Sequence, residues 1–158
     1  MRIYFLTLLF IVSVTATAQA RLGENADQLV ARYGPPISEK DQKGEGDKIP
    51  LADVIFQKGG FEIDVTISDG ISVLESFKKI NGNALTIGEV RILLTDNSQG
   101  HGWEAPQMVH GEKWWTRDDS ATAKLDQDGS AITIRSRELV VKEVVAKRLE
   151  RTPSLEGF

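Results

Sequence analysis

Residues 61–67 contain the most restrictive pattern in the sequence, a strict alternation of apolar and polar side chains. Apolar Phe61, Ile63, Val65 and Ile67 alternate with polar Glu62, Asp64 and Thr66. Side chains of a strand point alternately to opposite faces, so the segment is predicted to be a strand with one buried and one wet face. Val54 and Phe56 alternate on a preceding strand, and Gly59-Gly60 predicts the tight turn between the two. This hairpin requires antiparallel sheet and a layer that covers its apolar face.

A second turn is predicted at Ser68-Asp69-Gly70, before another apolar alternation. A two-residue loop pairs Ile67 with Ser72, whereas a three-residue loop with a left-handed Gly70 pairs Ile67 with Ile71. We favour the three-residue loop, because cross-strand partners share a face and this register keeps the apolar face continuous. Glu75 then faces inward or lies where that face emerges, and the pattern leaves both positions open.

Two capping boxes predict helices in front of the strands. Asn25 and Gln28 form the first box, and the helix ends at Gly34-Pro35-Pro36, where glycine offers a left-handed cap and proline forbids continuation. Thr86 and Glu89 form the second box. The spacing of the second helix predicts an apolar stripe of Ile87, Val90, Leu93 and Leu94. Residues 37–50 are polar, and we expect an exposed loop there.

The last third of the chain predicts three more strands and a helix. The strands are expected over residues 112–117, 121–126 and 130–135. Asp128-Gly129 works as a two-residue turn, because it pairs Leu125 with Ile132 and Ala123 with Ile134. The final helix is expected over residues 139–151. Its apolar face, which either docks on the core or contacts a second copy, consists of Val140, Val141, Val144, Val145 and Leu149.

This order predicts an α+β fold, an antiparallel sheet with helices packed on one face. The strands form two three-stranded meanders, and the similar spacing of their turns hints at a weak internal repeat. We expect a single domain over residues 21–158, with subunits at 21–80 and 85–151.

The first twenty residues have the layout of a secretory signal peptide. Met1 and Arg2 give a positive start, residues 3–14 are mostly apolar, and Ala18-Gln19-Ala20 supplies a cleavage site. The apolar run of about a dozen residues is short for a membrane span, which needs roughly 20. The absence of cysteine excludes disulfides, thiol nucleophiles and a lipid-bearing cysteine. We therefore expect a periplasmic or secreted protein that is not a lipoprotein.

The rest of the sequence excludes two classes of partner. The net charge of -4 argues against nucleic acid, whose binding requires a basic surface. No segment after residue 20 is long and apolar enough to be a transmembrane helix.

The segment LGENADQLVARYGPP, residues 22–36, is similar to the opening of two families of small bacterial envelope proteins. These are the small lipoprotein of the outer-membrane β-barrel assembly machine and the β-lactamase-inhibitor-like fold. The whole chain also resembles uncharacterised secreted bacterial proteins with an Ala-Arg-Tyr-Gly-x-Pro opening and a Trp-rich later half. The resemblance implies a protein-interaction module. The similarity to the first two families covers about a third of the chain, and no individual functional residue is carried over.

Histidines and carboxylates cluster in one part of the sequence, residues 101–112. His101, Glu104, His110 and Glu112 are enough for a zinc site, but their spacing matches no metal signature. We therefore favour two exposed loop histidines and expect neither a metal nor another cofactor. No serine elbow or other catalytic arrangement is present, and Asp118-Asp119 is typical of a turn.

Three tryptophans, Trp103, Trp114 and Trp115, lie in the same region. Adjacent residues on a strand point to opposite faces, so one of Trp114 and Trp115 belongs to the core and the other is exposed or covered. We favour burial of both. An exposed tryptophan would suit a sugar, a peptide or a protein.

These observations lead to one main functional hypothesis, a non-catalytic module that binds a protein or peptide in the bacterial envelope. The alternative is binding of a small ligand or carbohydrate through the Trp-rich surface, with His101 and His110 beside the tryptophans. A metal-dependent hydrolase is a third and weaker hypothesis.

Overall fold

The computed structural model describes residues 22–42 and 51–151, so the expected signal peptide lies outside the described residues. Within these ranges the chain forms three helices and eight strands. The helices are α1 (Ala26–Tyr33), α2 (Ile87–Asp96) and α3 (Arg137–Arg151). The strands of the first half are β1 (Ser38–Gln42), β2 (Leu51–Lys58), β3 (Phe61–Ser68) and β4 (Ile71–Lys79). Those of the second half are β5 (Gln107–Val109), β6 (Glu112–Thr116), β7 (Thr122–Leu125) and β8 (Ala131–Arg135).

The strands form one antiparallel sheet in the order β1-β2-β3-β4-β8-β7-β6-β5. This confirms the predicted α+β fold. The expectation of three strands in each half is wrong, because β1 and β5 add a fourth to each. The strand β1 forms in the segment expected to be a loop, since pairing with β2 satisfies the backbone of its polar residues. The strands of the two halves differ in length, so their pairing does not establish a repeat.

The β3–β4 hairpin contains the clearest departure from the predicted register. Asp69 and Gly70 both have positive φ, 53° and 81°, as a two-residue primed turn requires. The three-residue loop is therefore wrong, and Ile67 pairs with Ser72. A bulge follows, with Val73 as the extra residue, and it shifts Glu75 onto the apolar face of the sheet.

Both predicted capping boxes are present. Asn25 accepts from the Gln28 N–H of α1, and Thr86 accepts from the Glu89 N–H of α2. The stripe predicted for α2 is correct at Val90, Leu93 and Leu94, which are buried. It is wrong at Ile87, which is 76% exposed, since this first residue of the helix precedes the turn that docks on the sheet.

The core lies between α1, α2 and one face of the sheet. Its buried members include Leu29, Tyr33, Phe56, Ile63, Val65, Phe77, Val90, Leu93, Leu94, Trp115, Ala123, Ile132 and Ile134. Leu125 pairs with Ile132 and Ala123 with Ile134, as the Asp-Gly turn predicts.

The opposite side of the sheet, here called the open face, carries mostly polar side chains, together with the apolar Ile55, Leu74 and Trp114. Its described residues include Asp53, Glu62, Asp64, Thr66, Ser76, Lys78, Glu112, Trp114, Thr122, Lys124 and Thr133. All of these are exposed or half-buried, which is the pattern of a sheet covered on one side only.

Helix α3 contributes no side chain to the core cluster among its described residues. Leu139 is buried, but Val141, Val144 and Val145 are 49–55% exposed. Of the two alternatives for this apolar face, docking on the core therefore does not hold for these residues. The side chain of Leu149 lies outside the described part. Two ion pairs tie α3 to one margin of the sheet, from Lys142 to Asp69 at 2.8 Å and from Glu143 to Arg135 at 3.4 Å.

The described helices include none that is both long and apolar enough to span a membrane.

Candidate functional site

The predicted site residues are distributed around β6. At its C-terminal end, the segment containing His101 and Trp103 runs beside the strand. Trp103 forms an antiparallel bridge with Arg117, and the Glu104 N–H donates to the Thr116 carbonyl at 2.9 Å. This extra pairing brings residues 101–104 against the turn that joins β6 to β7.

Arg117 organises that turn, although the sequence did not single it out. Its side chain is 3% exposed and forms a two-pronged ion pair with Asp119, from Nε at 2.8 Å and from Nη2 at 2.7 Å. It also donates to the Asn97 carbonyl and to the Gln99 side chain, and it lies 5.6 Å from the centre of the Trp103 ring. The guanidinium lowers the pKa of Asp119 to about 2. A buried charge with this many partners has a structural role.

His101 lies next to Asp118 and not next to His110. Its Nδ1 lies 2.5 Å from Asp118 Oδ1, and the other Asp118 oxygen accepts the Gly102 N–H at 2.9 Å. That backbone N–H is the first cause of the lowered pKa of Asp118, followed by His101. The sequence assigned Asp118-Asp119 to a turn, which is correct, but gave no signal for this pairing.

His110 lies at the opposite end of β6, in the turn after β5, with a φ of 50°. A strand rises about 3.3 Å per residue, so β6 holds the two histidines roughly 20 Å apart. The zinc set of His101, Glu104, His110 and Glu112 is therefore not assembled.

One other group in the described part of the chain has the spacing of a metal site. His101, Asp118 and Asp119 each offer an atom within 4.8 Å of the others. Asp119 is already neutralised by Arg117, whose positive charge also repels a cation. Only His101 and Asp118 remain as ligands, fewer than the three or four protein ligands of zinc sites, so this group favours no metal.

The three tryptophans do not form one surface. Trp115 is buried in the core, and Trp103 packs against the core with its Nε1 donating to the Leu94 carbonyl at 2.7 Å. Trp114 lies on the open face and is half-buried, so the expected burial of both neighbours is wrong. Trp115 is the tryptophan that faces inward, because its partner on β7, Ala123, faces the core.

Trp114 belongs to a polar network at one end of the open face. Its Nε1 donates to Glu112 at 3.3 Å, and Glu112 pairs with Lys124 at 3.0 Å. Lys124 also pairs with Asp126 at 3.0 Å. Together these carboxylates raise the pKa of Lys124. The exposed Val109 shares this end of the sheet, so an aromatic and an aliphatic surface lie beside paired charges.

A second polar cluster lies on the other side of the sheet, under α1, and the sequence reasoning missed it. The Tyr33 hydroxyl donates to Glu75 Oε2 at 3.0 Å, while Arg32 forms an ion pair with Glu24. Burial raises the pKa of Glu75 to about 7, against the opposing effects of Tyr33, Arg32 and Ser72. The sequence left the inward position of Glu75 as one of two alternatives and gave no signal that Tyr33 would contact it.

Comparisons with known proteins add little to this geometry. The sequence matches no protein-family model and no curated protein sequence. A crystal structure of a cysteine-rich secretory protein from Staphylococcus aureus subsp. aureus Mu50 is similar, with a TM-score of 0.41 and 10% sequence identity. The match covers 75% of this chain and 46% of that one, so the chain spans less than half the length of the protein it matches. A similarity this low carries no argument about function.

Proposed function

We propose that the chain is an exported, non-catalytic module that binds a protein or peptide of the bacterial envelope through its open face. The signal-peptide pattern of residues 1–20 supports export, and the N-terminal resemblance to envelope proteins supports an interaction role. The observation that carries the proposal is the position of Trp114. A large aromatic side chain remains partly exposed on a sheet face that α1 and α2 leave uncovered.

The chemistry of the open face supports a protein rather than a small substrate. Its charged groups are paired, as in Lys78 with Glu62 at 2.7 Å and Lys124 with Glu112 at 3.0 Å. Exposed pairs of this kind contribute little to stability, but they can re-pair with complementary charges of a partner. Tryptophan is enriched among the residues that dominate binding energy in protein interfaces.

Carbohydrate or small-ligand binding remains the alternative, but the structure reduces its basis to a single ring. Trp103 and Trp115 both belong to the core side of the sheet, so an aromatic platform of several tryptophans is not available. A sugar would therefore rest on Trp114 alone.

The test compares three baits made from residues 21–158: the unmodified chain, Trp114→Ala and Ile87→Ala. Ile87 is an exposed hydrophobic residue on α2, outside the open face, and is the matched control. Proteins captured from an envelope extract are quantified by mass spectrometry. We expect a partner that binds the unmodified chain and the Ile87 variant but is lost by the Trp114 variant, since truncating an interface tryptophan costs about 2 kcal/mol or more.

Two results would contradict the proposal. One is a partner held equally by all three baits, which would place the interface elsewhere. The other is an empty bait that circular dichroism shows to be folded. In that case, thermal stabilisation by oligosaccharides becomes the measurement that tests the alternative.

A further inference from the structure

Helix α3 has an apolar side that points away from the sheet. Leu139 is buried, and Lys142 and Glu143 form the ion pairs that tie the helix to the margin of the sheet. These three residues share one side of the helix, because positions three and four apart are neighbours on its surface. The opposite side is exposed, and 49–55% of the surface of each of its valines, Val141, Val144 and Val145, is open to solvent.

This exposed side continues along α3 with an apolar centre and cationic ends. Steps of three and four residues from Arg137 lead to Val141, to Val144 and then to positions 148 and 151, which are both arginine. Positions at this spacing lie along one side of an α-helix, and α3 extends from Arg137 to Arg151. These five positions, together with Val145, are here called the α3 stripe.

Arg137 occupies a position that helix stability does not favour. It is the first residue of α3, at the positive end of the helix dipole, where acidic side chains are stabilising and basic ones are not. Its side chain is exposed and has no ion-pair partner among the described residues. The exposed Glu138 lies beside the stripe and opposes an anion there, but the stripe itself contains only cations and valines.

The charges of the stripe decide what can cover it. A second copy of α3 would bring arginine positions against arginine positions in the parallel and in the antiparallel arrangement, and such like-charge contacts are unfavourable. A folded partner needs about 800 Å² on each side, far more than three half-exposed valines offer, and α3 contains no aromatic residue to anchor it. A lipid surface needs neither, because it takes up small apolar groups and attracts each cation near its anionic headgroups.

We propose that the α3 stripe binds the surface of an anionic phospholipid bilayer. The helix lies in the plane of the interface, with its valines at the boundary of headgroups and acyl chains. The arginines at both ends of the stripe meet the phosphates, which a guanidinium matches with two parallel hydrogen bonds. The stripe has no residue in common with the open face, so lipid binding is independent of the proposed protein interaction.

The experiment measures binding of residues 21–158 to lipid vesicles by co-sedimentation. One set of vesicles consists of phosphatidylcholine, and the other contains equal parts of phosphatidylcholine and the anionic phosphatidylglycerol. We expect binding to the anionic set alone. Added salt should weaken this binding, because it screens the attraction between the arginines and the headgroups.

Two pairs of variants assign the binding to the stripe. Arg137→Gln should weaken binding to anionic vesicles about fivefold, and Arg91→Gln, at an exposed arginine of α2, should leave it unchanged. Val144→Ala should weaken binding about tenfold, since two carbon atoms no longer enter the membrane. Its control is Ile87→Ala, at an exposed residue of α2, which should have no effect. Circular dichroism confirms that each variant is folded.

A fluorescent label shows which side of the protein meets the lipid. The chain has no cysteine, so a single introduced cysteine carries one nitrobenzoxadiazole group, whose emission shifts to the blue in an apolar environment. We expect this shift on anionic vesicles for the label on Val144→Cys and none for the label on Ile87→Cys.

The proposal is overturned if the unmodified chain does not bind anionic vesicles or binds both sets equally. It is also overturned if the α2 variants weaken binding as much as their α3 counterparts, or if the two labels respond alike. A dimer in sedimentation equilibrium that Val144→Ala dissociates would show that a second copy covers the stripe instead.

Discussion

Glu75 is a carboxylic acid enclosed in the core between α1 and the sheet, with no exposed surface. One of its oxygens accepts from Tyr33, and the other has no hydrogen-bond partner among the described residues. Burial raises its pKa from 4.5 to about 7, because removal from water disfavours the charged form. The folded protein therefore holds a proton on Glu75 at pH values where the unfolded chain has released it.

The sign of the resulting pH dependence follows from linkage. A raised pKa stabilises the folded state fully below about pH 4.5, and this contribution is lost as the pH rises through about 7. The neutral variant Glu75→Gln removes the effect. We expect the unmodified chain to lose about 3 kcal/mol of unfolding free energy relative to Glu75→Gln between these pH values, at 1.36 kcal/mol per pKa unit. Urea unfolding of both proteins across this range measures the difference.

The charged and titratable neighbours of Glu75, namely Arg32 and Tyr33, are present in both proteins and cancel in the comparison. Glu104→Gln, at an exposed position, is the matched control and should follow the unmodified chain. A Glu75→Gln variant whose stability stays parallel to that of the unmodified chain at every pH would show that Glu75 ionises normally in the folded protein.

At the scale of single elements, local signals were sufficient where one residue pattern decides the geometry. The capping boxes at Asn25 and Thr86 and the Asp128-Gly129 turn belong to this group. The β3–β4 turn does not, because a bulge can compensate for a change in loop length. The two-residue loop and the extra residue Val73 together keep the apolar face continuous, which the sequence analysis had expected from a three-residue loop. The strand β1 was missed because an edge strand of polar residues has no hydrophobic alternation.

The capping box of α2 gives a prediction with a control in the same helix. The Thr86 hydroxyl accepts the Glu89 N–H at 3.2 Å, and the Glu89 carboxylate accepts the Thr86 N–H at 2.7 Å. Thr86→Ala leaves a backbone N–H of the first turn without its partner and should lower the unfolding free energy by about 1 kcal/mol. Chemical denaturation gives this value directly.

Thr95→Ala is the comparison, because it removes a threonine hydroxyl from the same helix without touching its start. Thr95 is exposed and donates to the Arg91 carbonyl at 2.8 Å, a bond that adds nothing to the capping. We expect a change within about 0.5 kcal/mol. Equal losses in the two variants would mean that the capping box does not stabilise α2.

The candidate site shows why the whole molecule is harder to predict than its elements. The sequence placed Trp103, Trp114, Trp115, His101 and His110 in one region. In the structure, the tryptophans lie on different faces of the sheet and the histidines lie at opposite ends of β6. Which tryptophan enters the core is decided by the register of β6 against β7. The turn signal at Asp118-Asp119 does not fix the loop length that sets this register. The sequence could not decide whether the apolar face of α3 docks on the core, because this depends on how much of the sheet α1 and α2 already cover.

The pairing of β4 with β8 makes one sheet from the two halves of the chain, and this predicts a single cooperative unfolding transition. All three tryptophans lie in the second half, so their fluorescence reports mainly on that half. Leu29 of α1 is fully buried in the first half, and Leu29→Ala should cost about 2–5 kcal/mol. If the sheet unfolds as a unit, Leu29→Ala shifts the urea midpoint measured by fluorescence as far as the urea midpoint measured by circular dichroism.

The control for this experiment is Val30→Ala, the next residue of α1, which is 43% exposed and should shift either midpoint only slightly. Independent halves predict a different result for Leu29→Ala, in which circular dichroism loses part of its signal early and the tryptophan midpoint stays in place. That result would mean that the five residue pairs between β4 and β8 do not couple the halves. Coincident shifts would instead mean that a residue packed under α1 stabilises the strand that carries Trp114, although the two lie on opposite sides of the sheet.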